Sequence, residues 1–296
     1  MQEGKPSRTA EHMALFRALE QSRRPDARLF ADPFARAFLG SRLRLVVALA
    51  RAPAALELVC RFIDHRWPGA RTSAVARTRF IDDRTSAAIS HGVEQIVLLG
   101  AGFDARPYRL GGCQRLAVFE VDHPSTLAKK RHIIEGVLGR APSWVRFVPT
   151  DFNRDSVETA LAAAGYAGDR STLFIWEGVT NYLTESAVDH TLRCCSRALR
   201  HSQIVFTYVH RGVLDNPAAF FGTARLFATL EAAGERWTFG LDPARLPDFM
   251  AERGYRLDED IGAEEYRMRY FGPSAAAMCG YEFYRIACAH VVDHAA

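Results

Sequence analysis

Short apolar runs recur through the middle of the chain, and helix-like segments separate them. The apolar runs occupy residues 96–100, 116–122, 145–149, 172–176 and 203–209. They are rich in β-branched and aromatic side chains, which is typical of strands buried on both faces of a parallel sheet. The segments between them that have helical spacing occupy residues 125–138, 155–164 and 184–199. This alternation predicts an α/β protein with a doubly wound, mostly parallel sheet.

The region before the first run has no strand pattern. Proline and glycine interrupt it repeatedly, so the pattern predicts several short helices joined by turns. Ser7 or Thr9 would cap the first helix, over residues 7–22, and a further helix over residues 77–90 would lead into the first strand. We therefore expect an N-terminal helical cap over residues 1–75.

The region after the fifth run predicts an antiparallel addition to the sheet. The expected elements are a loop-and-helix segment at 211–240, a helix at 243–253 and two strands at 255–261 and 282–291. The two strands can pair with each other and bring the sheet to seven strands. The prediction is a Rossmann-like domain over residues 76–296, with a variable substrate segment at about 211–250.

Composition narrows the class of protein. The 296 residues carry a formal net charge of +4, and the basic clusters at 23–24 and 129–131 are too short to indicate nucleic-acid binding. Six cysteines show no metal-ligand spacing, so we expect free thiols in a cytoplasmic protein without a metal. The most apolar stretch, residues 43–59, is interrupted by charges and a proline, so we expect no membrane partner.

The first strand ends in a glycine turn. Gly100, Ala101 and Gly102 follow the apolar run directly, and Asp104 lies in the same loop. In an open α/β sheet the ligand crevice lies at the carboxyl ends of the strands. Glycine suits such a turn because the backbone has to bend tightly and leave room for a ligand. The turn therefore predicts a nucleotide-like cofactor in contact with these residues.

Acidic residues close the next three strands. Glu120 and Asp122 end the second strand, Asp151 ends the third and precedes Phe152, and Glu177 ends the fourth. A carboxylate about twenty residues after the glycine turn can accept hydrogen bonds from a ribose. An aromatic ring beside a carboxylate suits a purine. Because the carboxyl ends of parallel strands share one edge of the sheet, we expect all these residues to line one site.

The loop after Gly100 favours one class of cofactor over another. Gly100-x-Gly102-x-x-Ala105 formally matches the dinucleotide fingerprint, which leaves a nicotinamide-dependent oxidoreductase as an alternative. Asp104 would repel a pyrophosphate, however, and Pro107 would perturb the start of the helix that has to face it. A cationic cofactor without phosphates, such as S-adenosylmethionine, tolerates acidic residues better.

Four ordered motifs carry a resemblance to a known family. They are RTRFIDD at 77–83, GAGFDARPYRL at 100–110, FEVDHP at 119–124 and WEGVTNYL at 176–183, and the segments 7–10 and 29–35 add to them. In these motifs the chain resembles the leucine carboxyl methyltransferase family. It is most similar to the bacterial small-molecule branch, which includes polyketide carboxyl O-methyltransferases. The resemblance implies a class I methyltransferase fold that uses S-adenosylmethionine.

The resemblance also implies a role for individual residues. Arg77, or alternatively Arg79, would bind the methionine carboxylate of the cofactor. The other contacts would be Gly100 at the methionine part, Asp122 at the ribose, Asp151 and Phe152 at the adenine, and Glu177 at the amino-acid end. Helical spacing alone would make Arg77 a surface charge.

The expected reaction is O-methylation in secondary metabolism. The resemblance makes a carboxylate of a small metabolite, a polyketide or an aromatic acid, the first choice of acceptor. A carboxylate is ionised at neutral pH because its pKa lies near 4, so the protein has to position it rather than deprotonate it. A phenolic or other hydroxyl is the alternative acceptor and would benefit from a base. A cofactor-binding protein without catalysis is a third alternative.

Residues from several parts of the chain are candidates for the acceptor site. An apolar wall is expected from Met13, Phe16, Phe220, Phe221, Phe227, Trp237 and Phe239. A cationic wall for a carboxylate is expected from Tyr266, Arg267, Arg269 and Tyr270. The candidate bases that follow strand ends are His123, Tyr182, Tyr208 and His210. Each of these four also fits an ordinary packing role, so we assign no general base.

Overall fold

Seven strands form one sheet at the centre of the protein. The computed structural model describes residues 8–292, so Ser7 lies outside the described residues. The strands are β1 Gln95–Leu99, β2 Ala117–Asp122, β3 Val145–Pro149, β4 Thr172–Trp176, β5 Gln203–Val209, β6 Tyr255–Ile261 and β7 Tyr284–Val291. Their spatial order is β3-β2-β1-β4-β5-β7-β6. Strands β1 to β5 are parallel, and β7 runs antiparallel to both of its neighbours.

Helices cover both faces of this sheet. In residues 8–292 the α-helices are α1 Arg8–Gln21, α2 Ser41–Leu49, α3 Pro53–Arg66, α4 Ala70–Ser90, α5 Arg106–Arg109, α6 Pro124–Leu138, α7 Val157–Ala163, α8 Glu185–Cys195, α9 Gly212–Asp215, α10 Thr223–Ala233, α11 Leu246–Ala251 and α12 Ala263–Phe271. No helix among the described residues is long and apolar enough to cross a bilayer. Nor does this part of the chain bring together three His, Cys, Asp or Glu side chains that could hold a metal ion.

The sheet confirms the predicted doubly wound α/β fold and its antiparallel strand pair. Leu98 pairs with Glu120, and Leu99, the last residue of β1, pairs with Val121. The next residues along the two strands, Gly100 and Asp122, therefore lie side by side at the edge where the strands finish. This register is what places the glycine turn beside the acidic strand ends.

Three helical predictions were wrong in extent. Helix α4 begins at Ala70, seven positions before the predicted start, because Gly69 allows the chain to turn with a φ of +88°. Residues 71–78 are all buried between other elements, so their small and polar side chains show no amphipathic pattern. Helix α8 ends at Cys195 rather than near residue 199, and the predicted helix at 243–253 begins as a 3₁₀ turn before α11. Helix α12 was not predicted.

Successive strand residues point to opposite faces of the sheet and pack into two separate hydrophobic cores. Val97, Phe119 and Phe174 point toward α7, α8 and α11, whereas Leu98, Val118 and Leu173 point toward α4 and α12. A third apolar cluster joins α1, α2 and α3. This helical layer faces the strand ends across a cavity.

Candidate functional site

The glycine turn after β1 leaves room for a ligand to approach the backbone closely. Gly100 has a φ of +71° and Gly102 a φ of +42°. A Cβ atom on Gly100 would lie 2.3 Å from Cγ2 of Val179. The amides of Gly100 and Ala101 donate to the carbonyl of Val121 at 2.8 and 3.0 Å, which fixes the turn against β2. Only glycine fits the first position, and the loop stays open toward the cavity.

Asp122 lies beside this turn, at the end of β2. Its Oδ2 accepts the amide of Gly102 at 2.6 Å, and its Oδ1 accepts the amide of His123 at 2.6 Å. Burial raises the pKa of this carboxyl, although both amide bonds oppose the shift. Each oxygen keeps acceptor capacity for a further donor, such as a ribose hydroxyl.

Glu120 was wrongly predicted to contact a cofactor. Its side chain is fully buried, and its Oε1 lies 2.8 Å from Nζ of Lys130 and accepts from the Tyr108 hydroxyl at 2.9 Å. Glu120 and Asp122 share a face of β2 because they are two residues apart. Asp122 ends the strand and borders the cavity, whereas Glu120 lies one step inside and is covered by protein. Sequence spacing does not distinguish the two.

The end of β3 is shaped by two aspartates. Oδ1 of Asp151 accepts the amide of Asn153 at 3.0 Å, and the amide of Asp151 donates to Asp155 at 2.8 Å. These bonds form a tight turn that leaves Asp151 and Phe152 on the wall of the cavity. Phe152 also packs against the core under the sheet, which holds its ring in place.

Glu177, at the end of β4, is held by two buried arginines. Its Oε1 accepts from Nε of Arg77 at 3.0 Å, and its Oε2 accepts from Arg106 at 2.9 Å. Burial opposes ionisation of Glu177, but the two guanidinium groups outweigh burial and lower the pKa of its carboxyl. Glu177 is therefore an anion at neutral pH.

Arg106 also neutralises the aspartate in the glycine loop. Its amide donates to Oδ1 of Asp104 at 2.8 Å, and its guanidinium pairs with both Asp104 and Asp82. Burial alone would raise the pKa of Asp104, yet the charge of Arg106 lowers the pKa of this carboxyl to about 2. The loop therefore carries a paired aspartate rather than the free charge that the sequence suggested.

One cavity of about 1260 Å³ joins these residues. All the predicted cofactor contacts except Glu120 line it, namely Arg77, Gly100, Ala101, Gly102, Asp104, Asp122, Asp151, Phe152 and Glu177. The alternative residue Arg79 does not line it and pairs instead with Asp83. The volume exceeds the roughly 300–1000 Å³ of a site for one drug-sized ligand, so a second molecule fits beside a cofactor.

The structure brings only part of the predicted apolar wall to this cavity. Met13, Phe16 and Trp237 line it. Phe220, Phe221, Phe227 and Phe239 do not. Phe220 and Phe227 pack behind the residues that line the cavity, and Phe239 packs in the core between the sheet and α7, α8 and α11. Phe221 is exposed. The aromatic residues in the sequence therefore indicated which segments lie near the cavity, but not which of their rings face into it.

The predicted cationic wall was wrong. Arg269 pairs with Glu259, and the hydroxyl of Tyr270 donates to Asp83 at 3.0 Å. Tyr266 and Arg267 likewise bond to residues outside the cavity wall, because all four lie on α12, which packs against α4 on the far side of the sheet. The unpredicted helix α12 explains this error.

Two of the four candidate bases reach the cavity. His123 and Tyr182 line it. Tyr208 does not, since its hydroxyl donates to Asp260 at 2.9 Å, and His210 does not, since its Nδ1 accepts the amide of Gly212. The hydroxyl of Tyr182 donates to Oε2 of Glu235 at 3.1 Å. Sequence reasoning missed Glu235, whose segment gave no motif or spacing signal.

The residues on the wall suit S-adenosylmethionine. The ribose can bond to Asp122 beside a turn that only glycine can form, and the adenine has Asp151 and the ring of Phe152. The guanidinium of Arg77 lies over the ring of Tyr284 at 4.4 Å from its centroid and borders the cavity next to the anionic Glu177. This pair offers one charge of each sign to an amino-acid end.

Comparison with known proteins agrees with this geometry. The family model of leucine carboxyl methyltransferase matches residues 10–196. A Frankia alni protein, named as an inferred S-adenosyl-L-methionine-dependent methyltransferase, is 36% identical over 208 residues, 70% of either chain. A Streptomyces coelicolor protein with the same description is 36% identical over 212 residues, which is 71% of this chain and 72% of its own.

Solved structures share the fold at low sequence identity. A DUF574 family protein of Streptomyces avermitilis has a TM-score of 0.59 and 12% identity, and the match covers 98% of this chain and 99% of that chain. An inferred methyltransferase of Thermobifida fusca has a TM-score of 0.56 and 14% identity, and the match covers 99% and 97% of the two chains. These similarities extend over the helical cap as well as the sheet.

Proposed function

The chain belongs to the leucine carboxyl methyltransferase family and is an S-adenosylmethionine-dependent methyltransferase, and from this premise we propose that it methylates the carboxylate of a small-molecule acceptor. The nicotinamide-dependent alternative is not retained. The cofactor, when bound, supplies a methyl group activated by its positive sulfur. What the protein has to add is position, exclusion of water and charge balance.

The residues proposed to hold the cofactor are those at the strand ends. Asp122 would accept from the ribose, and Asp151 and Phe152 would hold the adenine. Arg77 and Glu177 would bind the amino-acid end through opposite charges. Arg106 would act behind them, because its buried guanidinium keeps Glu177 and Asp104 ionised and in place.

The choice of a carboxylate acceptor rests chiefly on one observation at the inner wall. The hydroxyl of Tyr182 donates its proton to Oε2 of Glu235 at 3.1 Å, so this phenol is not placed to take a proton from an acceptor. Burial, followed by the charge of Glu235, also raises the pKa of Tyr182 above its usual value of 10.0. A carboxylate needs no base, because it is already ionised. The activity for which the family is named supports the same choice.

A hydroxyl acceptor is the second candidate, and Glu235 favours it. This carboxylate is 8% exposed, lines the cavity and already accepts from Tyr182. A hydroxyl placed there could lose its proton to Glu235 as the methyl group arrives. The two candidates therefore predict different dependence on pH and on Glu235.

The stability of the methylated product in alkali distinguishes a carboxylate acceptor from a hydroxyl acceptor. The purified protein is incubated with S-adenosylmethionine and matched panels of carboxylic acids and phenols, and the products are treated with mild alkali. A methyl ester releases methanol under these conditions, whereas an aryl methyl ether does not. We expect alkali-labile product from the acids and a turnover rate that is flat with pH above about 6, since the acceptor titrates near 4.

The Glu235→Gln variant provides the second arm of the experiment. Alkali-stable product, turnover that rises toward alkaline pH and a loss of about 100-fold in Glu235→Gln would establish the hydroxyl reaction instead. Tight binding of S-adenosylhomocysteine without any methylated product would refute both acceptor assignments.

A further inference from the structure

Helices α2 and α3 give the cavity an entirely apolar wall. The residues that these two helices contribute to its lining are Leu43, Val46, Leu58, Val59, Phe62 and Ile63. The strand ends opposite them contribute glycines and acids, and the adjoining helices α4 and α5 contribute arginines. A ligand that spans the cavity therefore needs a polar end at the strands and an apolar part between the helices.

This apolar wall runs from the interior to the surface. Ile63 is 5% exposed, whereas Leu58 is 71% and Phe62 is 65% exposed. Leu58 and Phe62 are one helical turn apart, so their side chains form a continuous strip at the mouth of the cavity. Large apolar side chains that are both exposed and continuous with a cavity are typical of a ligand-binding groove.

Helix α10 closes the other side of the groove. Leu226 and the buried Leu230 line the cavity from this helix. Nε1 of Trp67 donates to Oγ1 of Thr229 at 3.2 Å, and Arg225 donates to the carbonyl of His65 at 2.7 Å. These bonds join α10 to the end of α3, so the groove has two walls and an open outer end.

We propose that this groove binds the aliphatic tail of the acceptor, which makes the acceptor a long-chain carboxylic acid. The proposal rests on the proposed function for the head group, because the carboxylate has to lie next to the methyl group of the cofactor that the strand ends hold. The tail lies between α3 and α10, and its far end leaves the protein past Leu58 and Phe62. Because the outer end is open, the groove sets no sharp upper limit on chain length.

Binding of saturated acids tests the groove without any turnover. Octanoate, decanoate and dodecanoate, each below its micelle concentration, are titrated into the protein saturated with S-adenosylhomocysteine. We expect the affinity to rise about tenfold for each two methylene groups, as for burial of an alkyl chain. In Leu58→Gln and Phe62→Gln, affinity for dodecanoate should fall at least fivefold, and affinity for octanoate should change less than twofold.

Leu45→Gln is the matched control. Leu45 lies on α2 and is 62% exposed, but it does not line the cavity, so dodecanoate affinity should stay as in the wild type. Equal losses in Leu45→Gln and Leu58→Gln would overturn the groove in favour of a docking face on α2 and α3. An affinity that does not depend on chain length would also overturn it. Chain-length-dependent binding without methyl ester product would refute carboxyl methylation alone and leave the groove in place.

Discussion

The strand ends and the helical wall enclose the same cavity with opposite chemistry. At the strand ends, Gly100 and Glu177 directly follow a buried strand and Asp122 is the last residue of one, and hydrogen bonds or ion pairs fix all three. Across the cavity, Leu58 and Phe62 both project from α3 and are largely exposed. The first region is constrained by backbone geometry and charge, and the second presents apolar area to the cavity, with hydrogen bonds joining its helices. We therefore expect substitutions in the two regions to differ in both size and kind of effect.

The largest effect is expected from Arg106→Met at the strand ends. The guanidinium is 3% exposed and pairs with Asp82, Asp104 and Glu177. Among residues 8–292, its loss leaves Asp104 without an ion-pair partner and removes one of the two arginines that bind each of the other carboxylates. We expect a loss of about 3–5 kcal/mol in the free energy of unfolding, measured in urea. Arg131→Met, which breaks an exposed pair with Glu135, is the control and should cost well under 1 kcal/mol.

The wild type and the Arg106→Met variant also test how the stability of the protein depends on pH. The pKa of Asp104 is lowered from 3.8 to about 2, so its contribution to stability is complete above pH 4 and is lost as pH falls toward 2. In Arg106→Met the largest charge that lowers the pKa of Asp104 is removed, so we expect this pKa to be higher than in the wild type. The stability gap between the wild type and the variant should therefore narrow on acidification, and a gap that is constant down to pH 3 would contradict the assigned ion pair.

Gly100→Ala should give the next largest effect. The new Cβ would lie 2.3 Å from Val179, in a backbone conformation with φ of +71°. We expect a loss of about 2–4 kcal/mol in stability and at least 100-fold in affinity for S-adenosylhomocysteine, measured by calorimetry. Gly92→Ala has a φ of +86° but no neighbour within 4 Å, so it shares the backbone strain without the clash. Equal effects in both variants would show that strain alone matters.

Asp122→Asn tests the proposed ribose contact with a smaller change to the site than Gly100→Ala. The amide keeps the shape of the side chain but loses the charge that strengthens its hydrogen bonds. Affinity for S-adenosylhomocysteine should fall about 10- to 100-fold, which corresponds to about 1.5–3 kcal/mol. Affinity for the acceptor, measured at saturating S-adenosylhomocysteine, should not change. Unaltered cofactor affinity would remove Asp122 from the site.

Trp67→Phe probes the opposite wall. It removes the hydrogen bond to Thr229, and we expect about 1 kcal/mol of stability to be lost while cofactor affinity stays within twofold of the wild type. Thr229→Val removes the same bond from the other helix. A double-mutant cycle should show that the two losses are not additive, whereas full additivity would argue against the bond between α3 and α10.

The smallest effect is expected on α12. Arg269→Ala breaks a half-exposed pair with Glu259 on the far side of the sheet. Stability should change by less than about 1 kcal/mol. The KM of the acceptor should remain unchanged, as it should in Arg267→Ala, and an increase in either would reopen the question of a cationic wall on α12.

The sequence alone determined the sheet and most of the cofactor rim. Buried parallel strands are short, continuous and apolar, so β4 and β5 could be located to the residue, and whatever follows a parallel strand must lie at one edge. That rule placed Gly100, Asp122, Asp151 and Glu177 together before any contact was known. It failed at Glu120, because only two residues along β2 separate Asp122, which borders the cavity, from this glutamate in a buried ion pair.

Only the tertiary structure showed which residues form the groove proposed for the acceptor. The groove combines residues of α2, α3 and α10, which are more than 150 positions apart at Trp67 and Thr229, and apolar residues look alike in sequence whether they face a core or a ligand. Arg77 shows the same limit, since a guanidinium in the middle of a helix gives no sign of its partner at Glu177. Strand ends are positioned by local chain geometry, whereas helix faces acquire their neighbours only when the chain packs.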